Sequence, residues 1–188
     1  MISDVVVKEA EKSGAHYLYG KGALYSVTPP ESMFGYTIWA HMIPPFRPES
    51  ALILGYGGGT VAELIRKIWG QCKITGVDME IQKNAFLEYK LKCMDAKKFV
   101  WDCTTGIFKS KFDYVCIDLW DGHKVPDFIF ETEFVVRLRE MTKKLISMNI
   151  HERNVVDTKN YYDYGFSFDR VVPIESNRVL WWSVQDEG

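Results

Sequence analysis

A short apolar run at residues 51–54 leads into a block of glycines and then into an amphipathic segment. The run predicts a buried strand, and the glycines predict a tight loop. Apolar residues then recur at the spacing of one helix face, with Gly70 where a helix would end; they are Val61, Leu64, Ile65, Ile68 and Trp69. The sequence therefore predicts a strand, a glycine loop and a helix whose N-terminus faces that loop.

Further strands and helices are predicted to alternate along the rest of the chain. Apolar runs predict strands at residues 73–77, 91–94, 112–117 and 145–150. Helices are predicted at residues 81–89, in a short segment that includes Phe99 and Trp101, and after a cap at Thr132. Residues 169–175 and 178–184 predict a hairpin. An alternating chain that closes with a hairpin predicts an α/β fold with a Rossmann-like, mostly parallel sheet of seven strands.

The N-terminal part has a different pattern. Residues 17–27 predict a hairpin with Gly-Lys-Gly at its turn, and residues 32–42 predict a helix that carries Tyr36, Trp39 and His41. A proline-rich connector at residues 44–48 then leads into the central strand. We expect residues 1–48 to form a short extension that covers the site, and residues 49–188 to form the α/β domain that binds the ligand.

Composition fits one globular domain. The chain has 188 residues, 47% hydrophobic residues and a formal charge of −2, so neither a nucleic-acid nor a membrane partner is expected. The N-terminus lacks the pattern of a signal peptide, and a cytoplasmic protein is expected. No C-x-x-C pair occurs, so free buried thiols are favoured over zinc or disulfides at the four cysteines, Cys72, Cys93, Cys103 and Cys116.

The glycine loop narrows the ligand class. Glycines let a backbone approach a ligand closely, and the N–H groups at a helix start carry partial positive charge. The dinucleotide fingerprint needs a sixth-position glycine where Thr60 stands, and a phosphate-binding loop needs a lysine that is missing. Gly55, Gly57 and Gly59 instead form G-x-G-x-G, the spacing of methyltransferases that bind S-adenosylmethionine. A tight turn without a ligand is the alternative.

Acidic residues follow three of the predicted strands. Asp78 stands about twenty residues beyond the loop, where an acid can accept both ribose hydroxyls of an adenosine ligand, although it could also cap the next helix. Asp95 either caps a helix or contacts an adenine amino group. Asp118 ends the fourth strand, followed closely by Asp121 and His123. Because ligands bind beyond the carboxyl ends of such strands, Asp118 is predicted to face the same crevice as Asp78.

With these residues in place, the chain resembles the spermidine synthase-like family of proteins with the class I methyltransferase fold. The resemblance runs from about Leu24 to Val184 and is strongest in two blocks. The first comprises residues 51–64 and 77–80. The second comprises residues 112–122, followed by Val125-Pro126, residues 132–134 and Asn149.

The resemblance implies roles for these residues. Asp78 would hold the ribose of S-adenosylmethionine or of its decarboxylated form, Asp95 and Ala96 would neighbour the adenine, and Asp118 would orient or deprotonate the acceptor. The acceptor would be a small molecule such as an amine, and a homodimer is the expected assembly. The predicted acceptor contacts are Tyr36, Trp120 and Asp121, with simple packing as the alternative for the two aromatic residues. His123 and His151 are further acid–base candidates.

Departures from the family pattern bear on the reaction. Aminopropyltransferases have G-G-G-D-G-G in the loop, whereas residues 55–59 contain no aspartate, and residues 24–28 lack the usual glutamine. The N-terminal β-domain is expected to be shortened as well. The sequence therefore ranks an S-adenosylmethionine-dependent methyltransferase first and an aminopropyltransferase that uses decarboxylated S-adenosylmethionine second. A non-catalytic protein that binds an adenosyl ligand or a partner protein is the third reading.

Overall fold

The computed structural model describes residues 6–9, 16–20, 23–27, 37–79, 90–106 and 110–184. A small antiparallel sheet comes first, with strands β1 (Val6–Glu9), β2 (His16–Gly20) and β3 (Ala23–Val27) in the order β1-β2-β3. The β2–β3 pairing confirms the predicted hairpin, although its tip lies outside the described residues, and β1 was not predicted. Helix α1 (Thr37–Ala40) occupies part of the helix predicted at 32–42. Residues 28–36, and with them Tyr36, lie outside the described residues.

A seven-stranded sheet forms the centre of the fold. Its strands lie in the order β6-β5-β4-β7-β8-β10-β9. The first five in this order are parallel, and β10 is antiparallel to both of its neighbours. This confirms the predicted α/β fold with a C-terminal hairpin. The strands are β4 (Ser50–Leu54), β5 (Lys73–Asp78), β6 (Lys90–Cys93), β7 (Phe112–Ile117), β8 (Thr142–His151), β9 (Phe166–Ile174) and β10 (Asn177–Val184).

Four more helices connect the strands: α2 (Thr60–Trp69), α3 (Ala96–Thr105), α4 (Thr132–Met141) and α5 (Lys159–Asp163). Short 3-10 helices span Asp127–Phe130 and Glu152–Thr158. Helix α2 ends at Gly70, as predicted. The φ of Gly70 is 75°, a left-handed value that glycine adopts readily. The helix predicted at 81–89 lies outside the described residues.

The prediction that Thr132 caps α4 is wrong by one residue. Glu131 has the extended backbone of an N-cap, and its carbonyl accepts the N–H of Val135 at 3.1 Å. Thr132 is already the first helical residue, and no side chain caps this helix. The chain therefore turns into α4 through the backbone of Glu131, not through a hydroxyl group.

Each face of the sheet has its own apolar core. Helices α3 and α4 cover one face with Phe99, Phe134 and Leu138, whereas α2 covers the other with Leu64 and Ile65. Alternate strand residues serve the two cores: in β4, Leu52 and Leu54 face one and Ala51 and Ile53 the other. This double cover explains why the central strands read as continuous apolar runs.

Two further sequence features can be compared with the described residues. All four cysteines are free thiols; Cys116 is buried, as expected, but Cys93 is exposed. No helix in the described segments has the length and apolar character needed to cross a membrane. Within the same segments, no group of three or more acidic, histidine or cysteine side chains is arranged to hold a metal ion.

Candidate functional site

The carboxyl ends of four neighbouring parallel strands meet at one edge of the sheet. The glycine loop follows β4, Asp78 ends β5, Asp118 follows β7, and Asn149 lies near the end of β8. The strand order β5-β4-β7-β8 therefore places the loop between the two acids. This is the edge at which open α/β sheets bind ligands.

The glycine loop turns through left-handed backbone. Gly55, Gly57 and Gly59 have φ values of 85°, 54° and 93°. A Cβ atom on Gly55 would lie 2.1 Å from the carbonyl oxygen of Asp118, so only glycine allows the loop to pass so close to the end of β7. The N–H of Gly55 also donates to the carbonyl of Val77 at 2.9 Å. The loop is thus fastened to both neighbouring strands.

The side chain of Tyr56 packs between the glycine loop and β5. Its side chain is buried, and its ring lies so close to Gly76 of β5 that a Cβ atom there would be 2.2 Å from the ring. The same side chain leaves no room for a larger residue at position 59, because a Cβ atom on Gly59 would lie 2.7 Å from the tyrosine oxygen. The loop pattern assigns no role to Tyr56, but Gly76 inside an apolar strand was a sign in the sequence that a large side chain approaches that strand.

The side chain of Asp78 forms a hydrogen bond with the glycine loop. Its Oδ2 accepts the backbone N–H of Gly57 at 2.7 Å. The carboxylate therefore touches the loop directly, in addition to ending β5. A carboxylate has about four acceptor positions, so the Gly57 N–H and the hydroxyl groups of a ligand can bond to the same carboxylate. The predicted ribose contact remains a prediction, as does the capping of residues 81–89.

Asp95 caps α3, which confirms one of its two predicted roles. Its Oδ1 accepts the N–H of Lys98 at 2.8 Å, and the residue is exposed. The neighbouring Ala96 is buried. Asp95 follows β6, the strand beside β5, so it lies at the same edge of the sheet as Asp78. Contact of Asp95 or Ala96 with an adenine stays a prediction.

Asp118 receives three N–H donors. The indole of Trp39 donates to Oδ2 at 2.9 Å, the Asn149 amide donates to Oδ1 at 2.8 Å, and the indole of Trp120 donates to Oδ1 at 3.2 Å. The backbone N–H of Asp118 also bonds to the carbonyl of Leu54 at 2.8 Å, which joins it to the strand before the loop. The carboxylate is therefore fixed in position from three elements of the fold.

The environment of Asp118 raises its pKa above the usual range of an aspartate. Burial is the main cause, because it disfavours the charged form, and the negative charge of Asp78 adds to it. The hydrogen bonds from Asn149, Trp39 and Trp120 work in the opposite direction but do not cancel the effect of burial. A raised pKa makes this carboxylate a better proton acceptor than an exposed aspartate.

Sequence reasoning missed two of these donors as site residues. Asn149 ends its predicted strand, and this position was the signal that could have placed it beside Asp118. Trp39 comes from α1 in the N-terminal segment, far from Asp118 in sequence, and no local pattern marks it. The carbonyl oxygen of the Asn149 side chain is buried and has no hydrogen-bond partner among the described residues.

The remaining predicted residues are placed as follows. Trp120 lies beside Asp118, as described above. Asp121 is exposed in a turn closed by its backbone bonds to Lys124, and His123 in the same turn is exposed. The ring Nδ1 of His151 accepts the N–H of Arg153 at 3.2 Å, so this histidine caps a short 3-10 helix.

The N-terminal sheet is attached directly behind the glycine loop. The Thr60 hydroxyl accepts the N–H of Val27 at 2.9 Å, donates to the Val27 carbonyl at 2.7 Å and lies 2.7 Å from the Ser26 hydroxyl. All three residues are buried. Thr60 replaces the sixth glycine of the dinucleotide fingerprint, and it uses its hydroxyl to fasten β3 to the start of α2.

Comparison with known proteins gives a relative of low identity. No known family profile matches the chain. The chain is 22% identical over 154 residues to the polyamine aminopropyltransferase of Vibrio vulnificus, a match that covers 71% of this chain and 50% of that protein. The chain therefore spans about half the length of this curated relative.

Solved structures match over most of the chain. A probable spermidine synthase from Corynebacterium glutamicum gives a TM-score of 0.73 at 13% identity, covering 97% of this chain and 77% of that one. Human methyltransferase-like protein 13, solved in complex with SAH, gives 0.58 at 15% identity, covering 74% and 73%. The chain thus has the class I methyltransferase fold, and its likeness to the spermidine synthase-like proteins is confirmed.

Proposed function

We propose that this chain is a transferase that binds an S-adenosylmethionine-type sulfonium at its glycine loop and uses Asp118 on the acceptor. The observation that carries the proposal is the position of Asp118: a carboxylate with a raised pKa, held by three N–H groups, next to the loop that follows β4. An acid needed only for folding gains nothing from a half-buried position without a cation, because partial burial of its charge then costs free energy.

The residues at this edge fit an adenosyl sulfonium. The left-handed glycines keep Cβ atoms away from the loop, and Asp78 lies beside Gly57, where a carboxylate can accept hydrogen bonds from ribose hydroxyls. Asp78 brings negative charge to the edge of the sheet where a sulfonium cation would lie. Asp95 and Ala96 are our candidates for the adenine end. In the proposed division of the chain, residues 1–48 cover this site and residues 49–188 bind the donor.

The acceptor we propose is an amine. Asn149 must turn its NH₂ toward Asp118, because a carboxylate can only accept, so its carbonyl oxygen is left as a buried acceptor without a described partner. A substrate that carries N–H groups can donate hydrogen bonds to this oxygen and to Asp118 together. Trp120 and Trp39, whose indoles bond to the same carboxylate, would border the acceptor, and Tyr36 and Asp121 are the further candidates from the sequence.

The proposed reaction requires the chain to align the acceptor with the donor and to remove one proton from the acceptor. When bound, the donor supplies an electrophilic carbon and leaves as a neutral thioether. Asp118 orients the acceptor nitrogen toward that carbon and accepts the proton that the nitrogen loses as the new bond forms. Trp39 and Asn149 keep the carboxylate in place during the transfer.

Two donors remain candidates, and each has an observation in its favour. Aminopropyl transfer from the decarboxylated donor comes first, because the Vibrio vulnificus relative is named a polyamine aminopropyltransferase. Methyl transfer, which the sequence ranked first, comes second. It is favoured by Gly58, which stands in the loop where the aminopropyltransferase pattern has an aspartate. In a non-catalytic role, the chain would bind an adenosyl ligand or a partner protein, and neither donor would react.

Competition binding followed by a turnover assay tests the proposal. The purified chain is titrated with both sulfonium donors and then incubated with each donor and putrescine, and the products are identified by mass spectrometry. Aminopropyl transfer predicts that the decarboxylated donor wins by about tenfold and that putrescine is consumed. Preference for the carboxylated donor, with methylated product, would promote the second candidate. Tight binding without product from any amine tested would leave only the non-catalytic reading.

A further inference from the structure

A cluster of buried polar groups lies in the apolar core on the α2 side of the sheet. The Tyr114 hydroxyl donates to the Met42 carbonyl and contacts the Ser147 hydroxyl, and all three residues are buried. Tyr114 lies on β7 and Ser147 on β8, whereas Met42 follows α1. The cluster therefore joins two central strands to the N-terminal segment from within the core.

The direction of each hydrogen bond in the cluster follows from the protons available. Burial raises the pKa of Tyr114 well above its ordinary value, so the hydroxyl keeps its single proton. A carbonyl can only accept, so that proton goes to Met42. Ser147 then donates to the phenolic oxygen, because its distance to the Met42 carbonyl is a longer 3.4 Å. The donors thus form a chain that ends on one backbone carbonyl.

That carbonyl belongs to the turn that carries Trp39. The N–H of Met42 donates to the Trp39 carbonyl at 3.1 Å, and the Trp39 indole donates to the Asp118 carboxylate at 2.9 Å. Helix α1 has four residues, too few to be stable without contacts to the rest of the fold. Apart from the indole bond itself, the described hydrogen bonds from the sheet to this turn are those that Met42 accepts from Tyr114 and Ser147.

The two strands that hold this turn also position the acid and its amide partner. Residues two apart in a strand share a face, so Tyr114 and Cys116 lie on one face of β7, which then leads to Asp118. Ser147 and Asn149 share a face of β8 in the same way, and Cys116 pairs with Ser147 across the two strands. The hydroxyl pair therefore precedes the acid and its amide donor on neighbouring strands.

We propose that Tyr114 is a positioning residue for Asp118. Together with Ser147, its hydroxyl holds the Met42 carbonyl, and this bond fixes the turn that directs the Trp39 indole at the carboxylate. Tyr114 is buried in the core and acts only through Trp39. The inference rests on the proposed function for its meaning in catalysis, because Asp118 is the acid that we assign to the acceptor.

A purely structural role for the Tyr114 hydroxyl is the alternative. The last carbonyls of a helix have no partner within it and need one when they are buried. Tyr161, in the core on the opposite face of the sheet, is such a case: its buried hydroxyl donates to the Ile129 carbonyl at 2.9 Å. In the described part of the chain, neither Tyr161 nor Ile129 bonds to Asp118 or to its three donors. The two tyrosines thus have similar bonds but different connections to the site.

The titration of Asp118 reports on the indole without any substrate. The hydrogen bond from Trp39 lowers the pKa of Asp118, so loss of that bond raises it. The titratable groups that act on this acid are Asp78 of β5 and Cys116 and Tyr114 of β7, whereas its partners from α1 and β8 are uncharged. Burial raises the pKa of both Cys116 and Tyr114, so neither is ionised where Asp118 titrates. Tyr114→Phe therefore leaves every charge around the acid unchanged.

Carbon-13 NMR titration of the carboxyl groups in the full chain tests the inference, with Asp118→Asn to assign the signal. Tyr114→Phe should raise the pKa of Asp118 by about half or more of the rise that Trp39→Phe causes. In the Trp39→Phe background it should cause no further rise, because it acts through the indole. The matched control, Tyr161→Phe, should lower the thermal midpoint by a similar amount, about 2–8 °C, and leave the pKa of Asp118 unchanged.

Ser147→Ala is a second variant, which decides the matter if Tyr114→Phe does not fold. It keeps the tyrosine and should raise the pKa of Asp118 by less than Tyr114→Phe does. An unchanged pKa in the folded variant, equal rises in the Tyr114 and Tyr161 variants, no rise in Trp39→Phe, or full additivity with Trp39→Phe would each overturn the inference. The proposed function fails separately, if the wild-type chain transfers a group from neither donor, because the titration needs no substrate.

Discussion

The two ends of β7 carry two aspartates in opposite surroundings. At the beginning of the strand, Asp113 accepts the N–H groups of Glu49 and Ser50 at 2.8 and 3.3 Å and lies 3.2 Å from the Lys143 ammonium. Beyond the end, Asp118 is bonded only by neutral N–H groups among the described residues. The difference teaches that an acid with a cation belongs to the framework, whereas a half-buried acid without one needs another reason to be there.

The two carboxyl groups have pKa shifts of opposite sign. Burial acts to raise the pKa of Asp113, but the Glu49 and Ser50 N–H groups and the Lys143 charge outweigh burial and hold it below its usual range. Burial raises the pKa of Asp118, and its hydrogen bonds do not cancel this. Asp113 therefore contributes stability above its unfolded-state pKa and loses it as the pH falls, whereas ionised Asp118 costs stability as the pH rises.

The largest expected effect separates the two acids by activity. Asp118→Asn removes the proton acceptor, and turnover should fall by about 10²–10⁴-fold while donor affinity changes little. The matched control is Asp113→Asn, the same substitution at the opposite end of β7, which should keep turnover within about threefold wherever the protein is folded. Steady-state kinetics with donor titrations measures both. Full turnover in Asp118→Asn, or combined loss of donor binding and thermal stability, would make Asp118 a structural acid.

Donor binding should depend on Asp78. Asp78→Ala removes the acceptor proposed for the ribose hydroxyls and the one that holds the Gly57 N–H, so affinity for the thioether product should fall by about 1–3 kcal/mol. Isothermal titration measures the change. Asp102→Ala, which breaks an exposed ion pair with Lys98, is the control and should bind as the wild type does. Unchanged affinity in Asp78→Ala would restrict Asp78 to a structural role.

Stability should depend on Asp113 in a pH-dependent way. Asp113→Asn should lower the free energy of unfolding by about 1–3 kcal/mol near neutral pH, because the charged partner of Lys143 is lost. The difference should shrink as the pH falls through the lowered pKa, where wild-type Asp113 becomes protonated. Urea unfolding at a series of pH values measures it. A difference that stays constant down to acid pH would mean that the charge is not what stabilises this end of β7.

The smallest expected effect concerns the indole of Trp39. Trp39→Phe keeps a ring but removes an N–H that lowers the pKa of Asp118, so the acid limb of the kcat profile should move to higher pH. Turnover at neutral pH should fall about threefold to tenfold. Trp69→Phe removes an indole N–H that bonds to the Pro44 carbonyl at 3.0 Å, away from the acid, and should leave the profile unmoved. Equal shifts in both variants would contradict a specific role for Trp39.

The parts of the site that lie on strand ends could be predicted from the sequence. Apolar runs mark where strands stop, and in a parallel sheet those ends meet, so the sequence alone assigns Asp78 and Asp118 to one edge. The same logic would also have placed Asn149 at this edge, although it was not predicted as a site residue. The glycine loop and the end of α2 at Gly70 follow from local backbone requirements alone.

The parts that depend on tertiary contacts could not be predicted. Trp39 reaches Asp118 only because the connector after α1 packs across the sheet, where the Met42 carbonyl accepts the buried Tyr114 hydroxyl. Thr60 looked like a departure from a glycine pattern, but its hydroxyl fastens β3, a partner more than thirty residues earlier in the chain. Periodicity reports which face of an element is apolar and carries no information about which distant segment covers it.

Calorimetry of the purified chain with both sulfonium donors, the thioether product and NAD tests the central claim most directly. The G-x-G-x-G loop, the Asp78 bond to Gly57 and the closing β9–β10 hairpin all argue for an adenosyl sulfonium site. We expect a sulfonium donor or the thioether to bind with a dissociation constant below about 1 mM, and NAD to give no heat of binding. Binding of NAD with neither the sulfonium donors nor the thioether detected would contradict the account.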